Sequence, residues 1–147
     1  MNKSLAKLLS SAVVLGSVFF SLQTTASPQD WQRIKRPIPA TDGKANPIGS
    51  YSNGCIIGAE PLPYKGEGYQ VIRMNKNRYY GHPDMIAYLQ RLGQKAKSAG
   101  LPTMLVGDIA MPGGGRFLTG HASHQMGLDA DIWLRMGTMT DSEALNS

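Results

Sequence analysis

Cysteine is almost absent from this chain of 147 residues; Cys55 stands alone. Other familiar signals are missing too. No His-Glu-x-x-His run marks a common zinc-protease helix. The glycine-rich stretch Gly113-Gly114-Gly115 lacks the Lys-Ser/Thr ending of a phosphate-binding loop, which argues against nucleotide binding. No basic cluster is longer than Lys35-Arg36, and basic and aromatic residues do not interleave, so no nucleic-acid footprint is present. There are no internal repeats, and beyond the first residues no apolar run is long enough for a membrane span.

What is present begins at the N-terminus. Lys3 and Lys7 give a basic start, Leu8 to Leu22 is mostly apolar and uncharged, and Thr24-Thr25-Ala26 offers small residues at a cleavage position. That order is the layout of a secretory signal peptide, expected over residues 1–26 with cleavage after Ala26. The serine-interrupted run is shorter than the roughly 20 residues of a spanning helix, so no permanent membrane span is expected. Removing Lys3 and Lys7 lowers the formal charge from +5 to +3. This suits an anionic polymer such as cell wall and equally suits an ordinary surface. Residues 27–147 are enough for one small domain with one core. Export places Cys55 in an oxidising compartment, where an unpaired thiol points to an absent partner or an intermolecular bridge.

Residues 27–69 are rich in Pro, Gly, Ser and Asn and read as loops with short strands, including an Asn53-Gly54 turn before a short apolar strand. Tyr69 to Met74 alternates as a strand. The strongest helix signal opens at Gly81-His82-Pro83-Asp84: Pro83 suits the first helical position, and Met85, Ile86, Leu89 and Leu92 share one face. This helix is expected to run to about Ser98 and stop at Gly100. Thr103 to Val106 is a short β-type run. Asp129 to Leu134 alternates with period two, with Asp129, Asp131 and Trp133 on one face. Trp133 fits either a cleft wall or the core. Thr140-Asp141-Ser142-Glu143 is a capping box that starts a helix near the last residue, and a single turn cannot be stable alone. The expected fold class is α+β: a small, mainly antiparallel sheet bearing a metal site, with one main helix packed on it.

Chemistry concentrates in Gly120-His121-Ala122-Ser123-His124-Gln125-Met126-Gly127-Leu128-Asp129-Ala130-Asp131. Imidazole nitrogen and carboxylate oxygen are both good zinc donors. Gly127 lets the backbone bend between a His-bearing turn and the segment carrying Asp131. Asp129 could orient a ligand from behind. From residue types alone, a plain surface polar cluster remains an alternative.

The pattern Ala122-Ser123-His124-x-x-Gly127-x-x-x-Asp131 resembles the first half of the metal motif of zinc peptidases that include D-alanyl-D-alanine carboxypeptidases and lysostaphin-like enzymes. The longer run Gly120 to Ile132 is more specifically similar to the penicillin-insensitive murein endopeptidases. So are Ser52-Asn53-Gly54-Cys55-Ile56, Arg78-Tyr79-Tyr80-Gly81-His82-Pro83 and Gly107-Asp108 through Gly115-Arg116-Phe117.

The resemblance implies a periplasmic, zinc-dependent endopeptidase that cuts D-alanyl–diaminopimelyl cross-links of peptidoglycan through zinc-activated water. His124 and Asp131 match the first two zinc ligands. His121 matches an active-site histidine, either hydrogen-bonding near the metal or binding a second zinc. Arg116 is a candidate partner for a substrate carboxylate, or a solvated loop residue; Asp108 is a second-layer or turn residue. The family's third ligand comes from a His-x-His pair near the end of the chain, and no such pair occurs here. His82, the remaining histidine, is expected to cap its helix. The chain is therefore read as the N-terminal part of such a domain, with Cys55 pairing with a cysteine outside it. It is expected to bind zinc weakly and to leave murein intact. A D,D-carboxypeptidase with the same metal chemistry and a non-catalytic wall- or metal-binding domain are the rival readings.

Overall fold

The structure, a computed structural model, describes residues 40–147. The expected signal segment 1–26 and the Arg36-Pro37-Ile38-Pro39 stretch lie outside the described residues. The order of elements is β1 (Asn46–Ser50), β2 (Asn53–Ile57), β3 (Glu60–Pro61), β4 (Lys65–Gly66), β5 (Tyr69–Val71), a 3-10 turn (Met74–Lys76), β6 (Tyr80–Gly81), α1 (Pro83–Ser98), β7 (Met104–Val106) and α2 (Asp141–Asn146). The class is α+β. In place of one sheet there are three small ones: β1-β2, β3-β6 and β4-β5-β7. All pairings between named strands are antiparallel except β5 with β7, which run parallel.

α1 forms where its local signals place it. Pro83 needs no N–H donor in the first turn, and Nδ1 of His82 accepts the Asp84 N–H at 3.2 Å. His82 is thus spent on the cap. Ile86 and Leu89 bury on Leu62, Tyr69, Val71, Met104, Val106 and Ile109, with Met85 and Leu92 packed at the margin. Burying one such side chain contributes about 1.5–3 kcal/mol. Leu89→Ala would also open a cavity and cost about 2–5 kcal/mol.

β5 and β7 are buried on both faces; β7 is accordingly apolar throughout, and the one polar side chain of the pair, Gln70 in β5, is buried with its amide hydrogen-bonded. A second small core gathers Ile72, Leu105, Met139 and Ala144, with Trp133 packed against it. Trp133 therefore belongs to the core. Gln70 ties α2 to this core: its Nε2 donates to the Met139 carbonyl and its Oε1 accepts the Met139 N–H, both at 2.9 Å. The Thr140–Glu143 capping box and buried Ala144 hold the short helix in place. No helix among the described residues is long and apolar enough to cross a membrane.

Two expectations need correction. Ser50 pairs with Asn53, so the β1-β2 turn is Tyr51-Ser52 and Asn53-Gly54 lies inside β2. Long-range bonds override the Asn-Gly preference: Gln125 donates from Nε2 to the Ser52 carbonyl at 2.7 Å and accepts the Gly54 N–H at 3.0 Å. Asp129 to Leu134 is not a strand; it makes a single bridge, Val106 to Ile132. The ladder breaks beside it. Trp133 N–H donates to the Leu105 carbonyl and Gly107 N–H to the Asp131 carbonyl, but Asp131 N–H reaches past Gly107 to the Asp108 carbonyl at 2.9 Å. Gly107 and Asp108 together face Asp131, a one-residue bulge of the kind that re-aims a side chain.

Candidate metal centre

The bulge turns Asp131 toward a loop that carries both histidines. That loop is tightly shaped. His124 has φ +66°, a left-handed conformation uncommon for a residue with a Cβ, and it is only 3% exposed. Gly127 repeats the left-handed turn at φ +66° and accepts the His82 N–H at 2.9 Å, so the loop lies directly on the entrance to α1. A Cβ at position 127 would sit 2.8 Å from the Cα of Gly81, closer than side-chain carbons approach backbone. Only glycine allows this contact.

Four donor atoms of three residues converge. Nδ1 of His121 lies 3.1 Å from Nε2 of His124 and 3.4 Å from Oδ2 of Asp131; Nε2 of His124 lies 3.4 Å from Oδ1 of Asp131. Donors at 2.0–2.2 Å around a tetrahedral ion are separated by roughly 3.3–3.6 Å, the edge of that tetrahedron. Each contact taken singly is close to that edge, but the two histidines face different oxygens of Asp131. With one atom from each residue the three donors lie within 4.8 Å of one another, a donor triangle that could hold a metal ion. His124 is buried, Asp131 is half-buried and His121 is exposed, so the triangle opens to solvent on the His121 side.

Asp129 stands behind His124. Its Oδ2 accepts the His124 backbone N–H at 3.2 Å and lies 3.1 Å from the ring Nδ1. In this geometry Nδ1 is buried without a true hydrogen bond, since the carboxylate sits off the ring N–H axis. A small rotation of Asp129 would complete that bond. It would also hold the proton on Nδ1, leaving Nε2 as the free donor.

The sequence reading missed three further groups. Phe117 stacks on the His124 ring, with planes 8° apart and centroids 5.7 Å apart. The Arg78 guanidinium lies 3.9 Å from the Phe117 centroid. Gln125 is buried and bridges the metal loop to the β1-β2 turn: beyond its bonds to that turn, its Nε2 reaches the Ala122 carbonyl at 2.8 Å. No local pattern marks these residues, because each acts across a long separation in sequence. Asp108 is 1% exposed and accepts from both Arg73 and Arg78, so it belongs to this second layer and is no mere turn residue.

The remaining candidates fall elsewhere. Arg116 is exposed, next to buried Phe117, and is absent from the donor triangle. The triple-glycine loop approaches the protein's own backbone, with Ile56 N–H bonded to the Gly113 carbonyl and Gly115 N–H to that of Gln125. The missing Cβ of Gly114 lets β2 and the histidine loop pack this closely. Cys55, in β2, is half-buried and free.

Residues 47–147 match the family described as penicillin-insensitive murein endopeptidase. Among curated proteins, one bearing that same name from Haemophilus influenzae is 76% identical over the whole chain, which covers 50% of the relative's length. Proteins of that name from Salmonella paratyphi B and Salmonella newport are each 48% identical over 134 residues, 91% of this chain and 47% of theirs. The chain thus spans about half the length of the curated relatives it matches.

Proposed function

Since the chain belongs to the penicillin-insensitive murein endopeptidase family, we propose that His121, His124 and Asp131 hold a zinc ion serving hydrolysis of D-alanyl–diaminopimelyl cross-links in periplasmic peptidoglycan. The observation that carries this reading is the cluster itself: one donor atom from each of His121, His124 and Asp131 lies within 4.8 Å of the others, close enough for one small ion to touch all three. When bound there, zinc supplies Lewis acidity toward a water molecule and a peptide carbonyl.

The chain's own residues then have distinct tasks. His124, buried and stacked on Phe117, keeps its donor nitrogen in one place. Asp129, 3.1 Å from Nδ1 of that ring, needs only a small rotation to accept a proton from it, which would leave Nε2 free toward the ion. Asp131 supplies the negative charge that offsets part of the cation's charge. His121 turns Nδ1 inward on the exposed side, which leaves its Nε2 as the nitrogen that exchanges a proton with substrate or solvent. Arg116, exposed near the same loop, pairs with a carboxylate of the cross-linked peptide. Hydrolysis of murein is proposed to need residues beyond these, so the 147-residue chain alone binds zinc without turnover.

Zinc bound by the purified chain in equilibrium dialysis tests the site, which is expected to hold the ion weakly. About one ion per chain is expected, lost in His124→Ala and in Asp131→Ala. Equal zinc content in both variants and the parent would sink the proposal. Incubation with isolated murein tests the reaction: split cross-linked dimers from the chain alone would overturn the claim that it is inactive. Released D-alanine would favour the carboxypeptidase reading.

A further inference from the structure

We propose that Asp108 is a positioning residue that sets the orientation of two members of the donor triangle at once, and that it does so through two separate routes. This inference rests on the metal-site reading above and assigns to that site a residue outside the triangle.

The first route is through the backbone. The Asp108 carbonyl accepts the Asp131 N–H at 2.9 Å, and this bond defines the bulge that aims the Asp131 carboxylate. The second route is through side chains. Oδ2 of Asp108 accepts from Nη1 of Arg78 at 2.9 Å and from Nη1 of Arg73 at 3.3 Å. Arg78, its side chain 11% exposed, spends Nη2 on the Thr119 carbonyl and lays its guanidinium over Phe117. Phe117 in turn stacks nearly parallel on the His124 ring. A planar guanidinium fixed at two corners can shift neither along the Phe117 face nor away from it. The aromatic plane is thereby fixed, and with it the plane of the imidazole.

A carboxylate buried this deeply, held by two arginines, is more than packing requires. A neutral residue of similar shape would fill the space without the cost of desolvating a charge. The chain of contacts from Asp108 through Arg78 and Phe117 ends on a ligand ring, and the backbone bond of the same residue ends on the other ligand. Outer-layer partners of metal ligands typically change metal affinity by roughly 10–100-fold when lost.

The test uses the full chain and the variants Asp108→Asn, Phe117→Leu and, as a comparison, Leu89→Ala in the core away from the site. Two readouts are taken: the imidazole proton shifts of His124 in the metal-free protein, and zinc affinity by competition with a chelator. Positioning predicts that Asp108→Asn and Phe117→Leu both move the His124 shifts and weaken zinc by roughly 10–100-fold. Leu89→Ala should lower thermal stability while leaving both readouts at the parent values. If Asp108→Asn does not fold, Phe117→Leu decides the side-chain route by itself. Losing the Phe117 ring current moves the His124 shifts whatever the ring's orientation, so affinity decides for that variant. Parent-like zinc affinity in Phe117→Leu, or parent-like His124 shifts and affinity in a folded Asp108→Asn, would overturn the proposal. If the parent chain binds no zinc, the metal reading fails, and the His124 shifts in Asp108→Asn still report whether that carboxylate holds the ring.

Discussion

Oδ2 of Asp129 lies 3.1 Å from Nδ1 of His124 and accepts that residue's own backbone N–H at 3.2 Å. One carboxylate oxygen therefore touches both the ring and the main chain of a buried histidine held at positive φ. The backbone bond stabilises the left-handed turn. The ring contact places a carboxylate beside Nδ1, on the side of the ring away from Asp131 and His121.

Asp129→Asn separates these two effects, because its amide oxygen can still accept the backbone N–H while its charge is gone. Zinc affinity is expected to fall roughly 10–100-fold, with the melting temperature close to that of the parent chain. A chelator-competition titration beside a thermal melt gives both numbers. Parent-like affinity would show that Asp129 serves the turn alone.

Gln125 makes a different prediction, about stability. Its side chain joins the Ser52 carbonyl and the Gly54 N–H of the β1-β2 connection to the Ala122 carbonyl of its own loop. Gln125→Ala removes three bonds and leaves partly buried backbone groups without partners. At about 0.5–1.5 kcal/mol for each net bond, with a further penalty for groups left unsatisfied, the loss should be about 2–4 kcal/mol. Urea unfolding of parent and variant measures it. A loss below about 1 kcal/mol would mean that water replaces the clamp.

Local chemistry was legible in the sequence; tertiary override was not. α1 was readable because Pro83, the His82 cap and the spacing of Ile86 and Leu89 act within a few residues of one another. The Thr140 capping box was readable for the same reason. The β1-β2 turn was misplaced because Gln125, distant in sequence, holds Ser52 and Gly54. Residues 129–134 carry a strand's alternation, but the bulge at Gly107-Asp108 cuts the ladder, and Ile132 and Leu134 face solvent. In the site, the spacing of His124, Gly127 and Asp131 was visible as a motif. Arg78, Phe117 and Gln125 were not, since stacking and hydrogen bonding across the fold leave no periodic mark.

Glu143 provides a pH-dependent test of the α2 cap. Its pKa is held below the ordinary 4.5 chiefly by the backbone hydrogen bond from Thr140, then by the Thr140 hydroxyl, with Arg135 adding a smaller pull. A carboxylate whose folded pKa is depressed contributes stability that is fully present above the unfolded value and lost as pH falls through the folded value. The cap should therefore hold at neutral pH and weaken only in the acid range below 4.5. A carbon-detected NMR titration of the Glu143 carboxyl should give a midpoint below the ordinary value, and Thr140→Val should move it back up. Because Val keeps the backbone N–H that makes the largest contribution, the return should be partial; a parent midpoint at or above the ordinary value would disconnect Glu143 from the cap.

Gly127 and Gly100 offer a matched pair for the last prediction, because their backbones are alike and their surroundings are not. Both are left-handed, at φ +66° and φ +74°. A methyl group at Gly100 meets nothing within 4 Å, whereas one at Gly127 would crowd the Cα of Gly81 at 2.8 Å and the nitrogen of His82 at 3.0 Å. Gly100→Ala should then cost only the left-handed penalty, about 1–2 kcal/mol. Gly127→Ala adds the displacement of the metal loop from the start of α1, so its loss should exceed that of Gly100→Ala by about 1–3 kcal/mol. Zinc binding should separate the two more sharply, since moving the backbone at Gly127 drags His124 and Asp131 out of register while Gly100 lies beyond the far end of α1. Urea unfolding and chelator competition on the two variants measure both differences. Equal stability losses with equal zinc affinity would mean that the loop accommodates the methyl group, and that contact between Gly127 and Gly81 does not set the donor triangle.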